Sequence, residues 1–165
     1  MHLHACRAVA DTIRATPLAS HLSALLDHPA PTAEMDQARA LARQLLKTAP
    51  TPRPLHGDLH HDNVICDTEG TWRVIDPKGL LGDPAFDLAN AFRNPVGLER
   101  QAADPRRMQR RAEIFAAETG YPTHRLLAWA AVQAAVSIAW DGAEARDVAD
   151  HAILATALTL AGPRS

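Results

Sequence analysis

The chain has 165 residues, 47% of them hydrophobic, and a formal net charge of −2 with histidines neutral. That is enough apolar material for one domain with a real core, and it excludes a disordered tail. No basic block is present, which argues against a surface that tracks nucleic-acid phosphates; Cys6 and Cys66 form no CxxC or disulfide framework, so a reduced, cytoplasmic setting is expected.

The opening stretch, MHLHACRAVADTIRA, mixes His2, His4, Arg7, Asp11 and Arg14 with apolar residues. It resembles neither a signal-peptide core nor a membrane span of about 20 apolar residues. Helices are predicted over 3–15 and 18–27, broken at Pro17. Thr32 can cap a further helix beginning near Ala33, with Leu41, Leu45 and Leu46 on one side. Pro50, Pro52 and Pro54 end it.

The texture then changes. LHGD is a short extended piece entering a loop, and NVICD (63–67) and TWRVID (71–76) read as a β-hairpin turning at Gly70. PKGLLGDP is expected to be loop. Asp83 and Pro84 then start a helix to about Arg93, as N-cap and first helical residue. Three more helices are predicted: Asp104-Pro105 to Gly120, Thr123 to Trp140, and about Ala143 to Leu160. The apolar stretch 152–162 is too short to cross a bilayer, so neither membrane nor nucleic acid is an expected partner. Within one domain, 1–165, a helical body (1–50 and 84–161) thus surrounds a catalytic loop and metal hairpin (55–83).

The unusual polar residues sit on loops at the hairpin's ends. Asn63 follows Asp58 by five, Asp76 follows Asn63 by thirteen, and the hairpin brings 63 and 76 together. An amide oxygen and a carboxylate at close range suit a hard cation such as Mg²⁺. Asp58, one loop away, can take the proton of a substrate hydroxyl. The same spacing marks the kinase loop H-x-D-x-x-x-x-N followed by an Asp beyond a hairpin.

Other readings stay open. His56, His60 and His61 match no zinc spacing. His56 is read as a loop support and His60 as a neighbour of phosphates or substrate. Lys78 is either a phosphate contact or a solvated loop lysine. Asp141, Glu144, Asp147 and Asp150, spaced by threes, form either an acidic strip for a cationic substrate or a solvated face. Trp129 and Trp140 read as core.

The run LHGDLHHDN…VIDPKGLLGDPAFDLANAFRNP resembles the aminoglycoside phosphotransferase family of small-molecule kinases, above all its streptomycin 6-kinase and hydroxyurea-kinase branch. The tight likeness covers about 55–95. It implies Asp58 as catalytic base, Asn63 and Asp76 as Mg²⁺ ligands at the phosphates of ATP, and Asp87 as a brace of the loop through its backbone amides. The residue readings add His60 beside the base, Lys78 as a candidate ATP contact and His56 as a support of the loop. The implied reaction is ATP-dependent phosphorylation of a small hydroxylated substrate, an aminoglycoside of streptomycin type.

The family's N-terminal lobe has a nucleotide-covering glycine loop and a lysine-bearing strand. Here no glycine precedes Gly57, and the only lysines are Lys47 and Lys78. The expected fold class is therefore α+β: the mostly helical C-terminal lobe alone of a protein-kinase-like fold, with a small catalytic hairpin and no N-terminal nucleotide lobe. Such a chain is expected to be incomplete and to have little activity by itself. The alternative is a non-catalytic remnant or binding module that keeps kinase residues.

Overall fold

A computed structural model describes residues 15–29, 31–94, 97–141 and 147–162. The helix expected at 3–15 falls almost entirely outside them. A two-residue strand β1 (Thr16–Pro17) leads into two short helical pieces, α1 (Leu18–His21) and α2 (Ser23–Leu26). The long helix α3 (Ala33–Lys47) starts where expected: the Thr32 side chain accepts the Met35 N–H at 3.2 Å. Its buried face is Met35, Ala38, Ala42 and Leu45, with Leu41 and Leu46 at the flank.

Next come β2 (Arg53–Leu55), a 3₁₀ turn (His61–Asn63), β3 (Val64–Cys66), β4 (Trp72–Val74) and β5 (Leu80–Gly82). A long 3₁₀ segment, Pro84–Arg93, follows, then α4 (Glu99–Ala102), α5 (Pro105–Thr119), α6 (Thr123–Asp141) and α7 (Asp147–Ala161). Asp104 caps α5 by accepting the Arg107 N–H, and Gly120 closes it in a left-handed conformation at φ 77.

The predicted hairpin is present as β3–β4, antiparallel, with Ile65 opposite Arg73. A second sheet was not expected. β5 lies between β1 and β2, parallel to the first and antiparallel to the second. The α+β class is retained, but a helical lobe with one small hairpin does not describe the chain. The segment read as loop contains a strand, because Leu80–Gly82 is too short to show alternation and is fixed only by distant partners. Leu55 pairs with Leu80 and Arg53 with Gly82, so β2 and β5 bring the two ends of 55–83 together.

The core is built round α6. From Leu126 to Val136 every residue is buried, including Trp129, which packs edge-on to Phe86 at 5.3 Å between ring centres. A helix apolar on all sides must be enclosed, and its alanines let α7 and the 3₁₀ segment approach closely. No helix among the described residues is long and apolar enough to cross a membrane.

Candidate active site

The loop after β2 is held from below. The Asp87 carboxylate accepts the His56 N–H at 3.0 Å and the Gly57 N–H at 2.8 Å. Gly57 is required twice over: its φ is +80, and a Cβ there would lie 2.8 Å from the Leu80 side chain. His56 is buried. Its Nε2 meets the Ile75 carbonyl at 2.7 Å and its Nδ1 meets the Asp58 N–H at 3.3 Å. A carbonyl only accepts and a backbone amide only donates, so the ring is the neutral tautomer with its proton on Nε2.

The loop is also bound to the far side of the hairpin. Lys78 donates its N–H to the His56 carbonyl at 2.7 Å, and Ile75 donates to the Asn63 carbonyl at 3.0 Å. The Asn63 side-chain nitrogen donates to the Asp58 carbonyl at 2.9 Å, leaving its amide oxygen as the end available to a cation. Asn63 is therefore tied to Asp58 through its side chain and to Ile75 through its backbone, and Lys78 is tied to His56 backbone to backbone. Asp76 is exposed and has φ 56, a left-handed conformation that costs a non-glycine residue roughly 1–2 kcal/mol.

The Asp58 carboxylate has two unlike partners. Oδ1 accepts from the Asn90 side chain at 2.7 Å, and Oδ2 lies 3.1 Å from Lys78 Nζ. Sequence reasoning did not find Asn90. Its signal was the spacing of three in Asp87, Asn90 and Arg93, which a 3₁₀ helix places in one row. Lys78 also lies 5.9 Å from the Trp140 ring centre, and Trp140 is half exposed instead of core. Its ring contacts His21 edge-on at 4.8 Å. Burial, then the nearby Lys78 charge, holds His21 below its ordinary pKa, with Asp58 opposing. The His21 Nε2 is buried without a hydrogen-bond partner.

His60 does not turn to the Asp58 side chain. Its Nδ1 lies 3.4 Å from Asp62 Oδ2, and His61 Nε2 lies 3.3 Å from Asp62 Oδ1. These three residues offer ligand atoms within 4.8 Å of one another and can hold a divalent ion. Imidazole favours zinc or nickel, whereas an amide oxygen or a carboxylate, such as Asn63 and Asp76 carry, is a harder donor of the kind Mg²⁺ prefers.

Asp83 is a cap, as its sequence position suggested: it accepts the Ala85 N–H at 3.0 Å. It is also buried against Arg125 and the Trp129 indole N–H, at 2.8 and 2.6 Å. Asp150 departs from both readings of the acidic strip: it is buried and paired with Arg93. The side chains of Asp141, Glu144 and Asp147 are outside the described set. A cavity of about 540 Å³ between α3, α6 and the end of α7 is lined by Gln44, Arg125 and Leu158 and includes no residue of the loop.

The model of the aminoglycoside/hydroxyurea antibiotic resistance kinase family matches residues 3–145. A streptomycin 3''-kinase of Klebsiella pneumoniae is 40% identical over 127 residues, 75% of this chain and 48% of that protein. A streptomycin 6-kinase of Streptomyces griseus is 33% identical over 69% of this chain and 38% of its own length. A hydroxyurea phosphotransferase of Kitasatospora aureofaciens is 46% identical over 36% of this chain and 17% of its own. No solved structure matches.

The chain spans about half the length, or less, of these relatives. The expectation of a C-terminal lobe only is corrected: the likeness extends well beyond 55–95, over most of the chain. The chain belongs to the aminoglycoside/hydroxyurea antibiotic resistance kinase family.

Proposed function

We propose that this chain carries the transfer site of an ATP- and Mg²⁺-dependent kinase whose acceptor is a hydroxyl of a small molecule, a streptomycin-type aminoglycoside. The observation that carries the reading is the Asp58 carboxylate. It stands partly open on a braced loop, with one oxygen fixed by Asn90 and the other beside a partly exposed lysine. The acceptor class rests on the relatives named for streptomycin, with hydroxyurea as the competing acceptor. A cytoplasmic setting, where ATP is available, fits this reaction.

In this reading Asp58 orients the acceptor hydroxyl and takes its proton. The acceptor oxygen forms a bond to the γ-phosphorus while the bond to the ADP oxygen breaks. Asn63 and Asp76 hold the metal through oxygen. Mg²⁺, when bound, supplies charge neutralisation at the phosphates. Lys78 leaves Asp58 to meet a phosphate oxygen, and His60 lies at the rim towards phosphate or acceptor. His56 and Asp87 keep the loop in place. Positioning and charge supply most of the rate, because this transfer needs little covalent help.

The test is incubation with ATP, Mg²⁺ and a panel containing streptomycin and hydroxyurea, read by mass spectrometry and ADP release. Phosphorylated streptomycin is expected, formed far more slowly with Asp58→Asn. Phosphorylated hydroxyurea alone would move the acceptor class. No phosphorylated product from any panel member would overturn the reading.

A further inference from the structure

We infer that Asn90 is a positioning residue for Asp58, and that Arg93, fixed by Asp150, sets the direction in which the Asn90 amide points. The inference rests on the reading of Asp58 as the base.

Asn90 has both a donor end and an acceptor end. Its nitrogen donates to Asp58 Oδ1 at 2.7 Å, and its oxygen accepts from Arg93 Nη1 at 3.3 Å. A guanidinium only donates and an ionised carboxylate only accepts, so one amide orientation satisfies both neighbours. With the amide reversed, the nitrogen would face Arg93 and the oxygen would face Asp58, and both contacts would be lost.

Arg93 is itself held from three sides. Nε and Nη2 donate to the two oxygens of Asp150 at 2.8 Å each, a two-pronged pair that fixes the guanidinium plane. Nη2 also donates to Ser137 Oγ at 2.7 Å. Asp150 and Ser137 are each 4% exposed, and Asn90 is 9% exposed. The row thus ties Asp58 on its loop to Ser137 of α6 and Asp150 of α7.

The two oxygens of Asp58 are made unequal. Oδ1 is held by a buried, neutral amide with no freedom to follow a reactant. Oδ2 faces Lys78, whose side chain is 44% exposed, so this oxygen opens towards solvent. Oδ2 is therefore the oxygen presented to the acceptor hydroxyl, and Asn90 determines that choice. The acidic residue that a sequence reading sends to a cationic substrate, Asp150, instead orders the base.

Two variants and one spectrum test this. In the unaltered chain, the Asn90 side-chain amide should give a low-field, slowly exchanging proton by ¹⁵N-resolved NMR, and Asp58→Ala should abolish that protection. This reading needs no turnover. Kinetically, Asn90→Ala should lower kcat by roughly 10- to 100-fold with the KM for ATP within about threefold, as expected for a misplaced reacting group.

Asn90→Asp keeps the shape but replaces the donor with a second carboxylate, so its kcat should fall below that of Asn90→Ala. A merely structural role would rank them the other way. Thermal melting confirms that each variant is folded; Asn90→Asp decides if Asn90→Ala does not fold. A freely exchanging Asn90 amide, or folded variants with unchanged kcat, would overturn the inference. A protected amide in a chain that transfers no phosphoryl group would leave the inference standing and overturn the proposed function instead.

Discussion

The Asp87 carboxylate accepts the Gly57 N–H at 2.8 Å across 30 positions of sequence, and its other oxygen takes the neighbouring N–H of His56. The loop that presents Asp58 therefore rests on a buried charge from the 3₁₀ segment. Asp87→Ala leaves two buried backbone donors without their acceptor, a cost of roughly 1–3 kcal/mol for each. Thermal unfolding should drop by about 2–4 °C per kcal/mol in a chain of this size. Faster hydrogen exchange at His56 and Gly57 should accompany it; unchanged exchange there would show the brace to be dispensable.

Gly57→Ala brings two penalties to one position, a positive φ and a 2.8 Å approach to Leu80. Backbone strain alone is worth about 1–3 kcal/mol. Urea unfolding should show at least that loss. Leu80→Ala should recover the steric part and leave the backbone part, and failure to recover anything would place the whole penalty in the backbone.

How much of this was legible in the residues varies with the length of the signal. The reading of Asp58, Asn63 and Asp76 as one site rested on local spacing and on a hairpin with strong turn and β-branched signals; of these, the hairpin is present as β3–β4. The caps Thr32 and Asp83 and the helix start at Asp104 were readable because their signals are local. β5 was not, since three residues acquire strand geometry only from β1 and β2, 25 or more positions away. Asn90 was missed and Asp150 misjudged because their roles depend on contacts across 32 and 57 positions. The likeness at 55–95 was read correctly as to family, but its restriction to one lobe followed from an absent glycine loop and lysine strand and did not survive comparison over the whole chain.

His21 gives a pH dependence. Burial and the nearby Lys78 charge lower its pKa below the ordinary 6.5, so the folded chain resists a proton that the unfolded chain accepts. The stabilisation is present above pH 6.5 and is lost as pH falls from there through the lower folded value. Stability followed by denaturant between pH 7.5 and pH 5 should decline, and His21→Phe should flatten that part of the curve. An equal decline in His21→Phe would assign the effect to other groups.

Lys78 sits 3.1 Å from Asp58 Oδ2 and is partly exposed, so its pairing is screened and modest. Lys78→Met should weaken Mg²⁺–ATP binding by about 1 kcal/mol, roughly fivefold, measured by calorimetry. Unaltered nucleotide affinity and unaltered turnover together would leave Lys78 a solvated loop residue.

The most direct measurement is single-turnover phosphoryl transfer from ATP to streptomycin by Asp58→Asn, alongside Mg²⁺–ATP affinity. The expected result is a rate lower by about 10²- to 10⁴-fold with nucleotide affinity within a few-fold, because proton removal is lost while the oxygens of Asn63 and Asp76, proposed as the metal ligands, remain. A variant that transfers phosphoryl groups at a near-normal rate would contradict the assignment of Asp58 as the base.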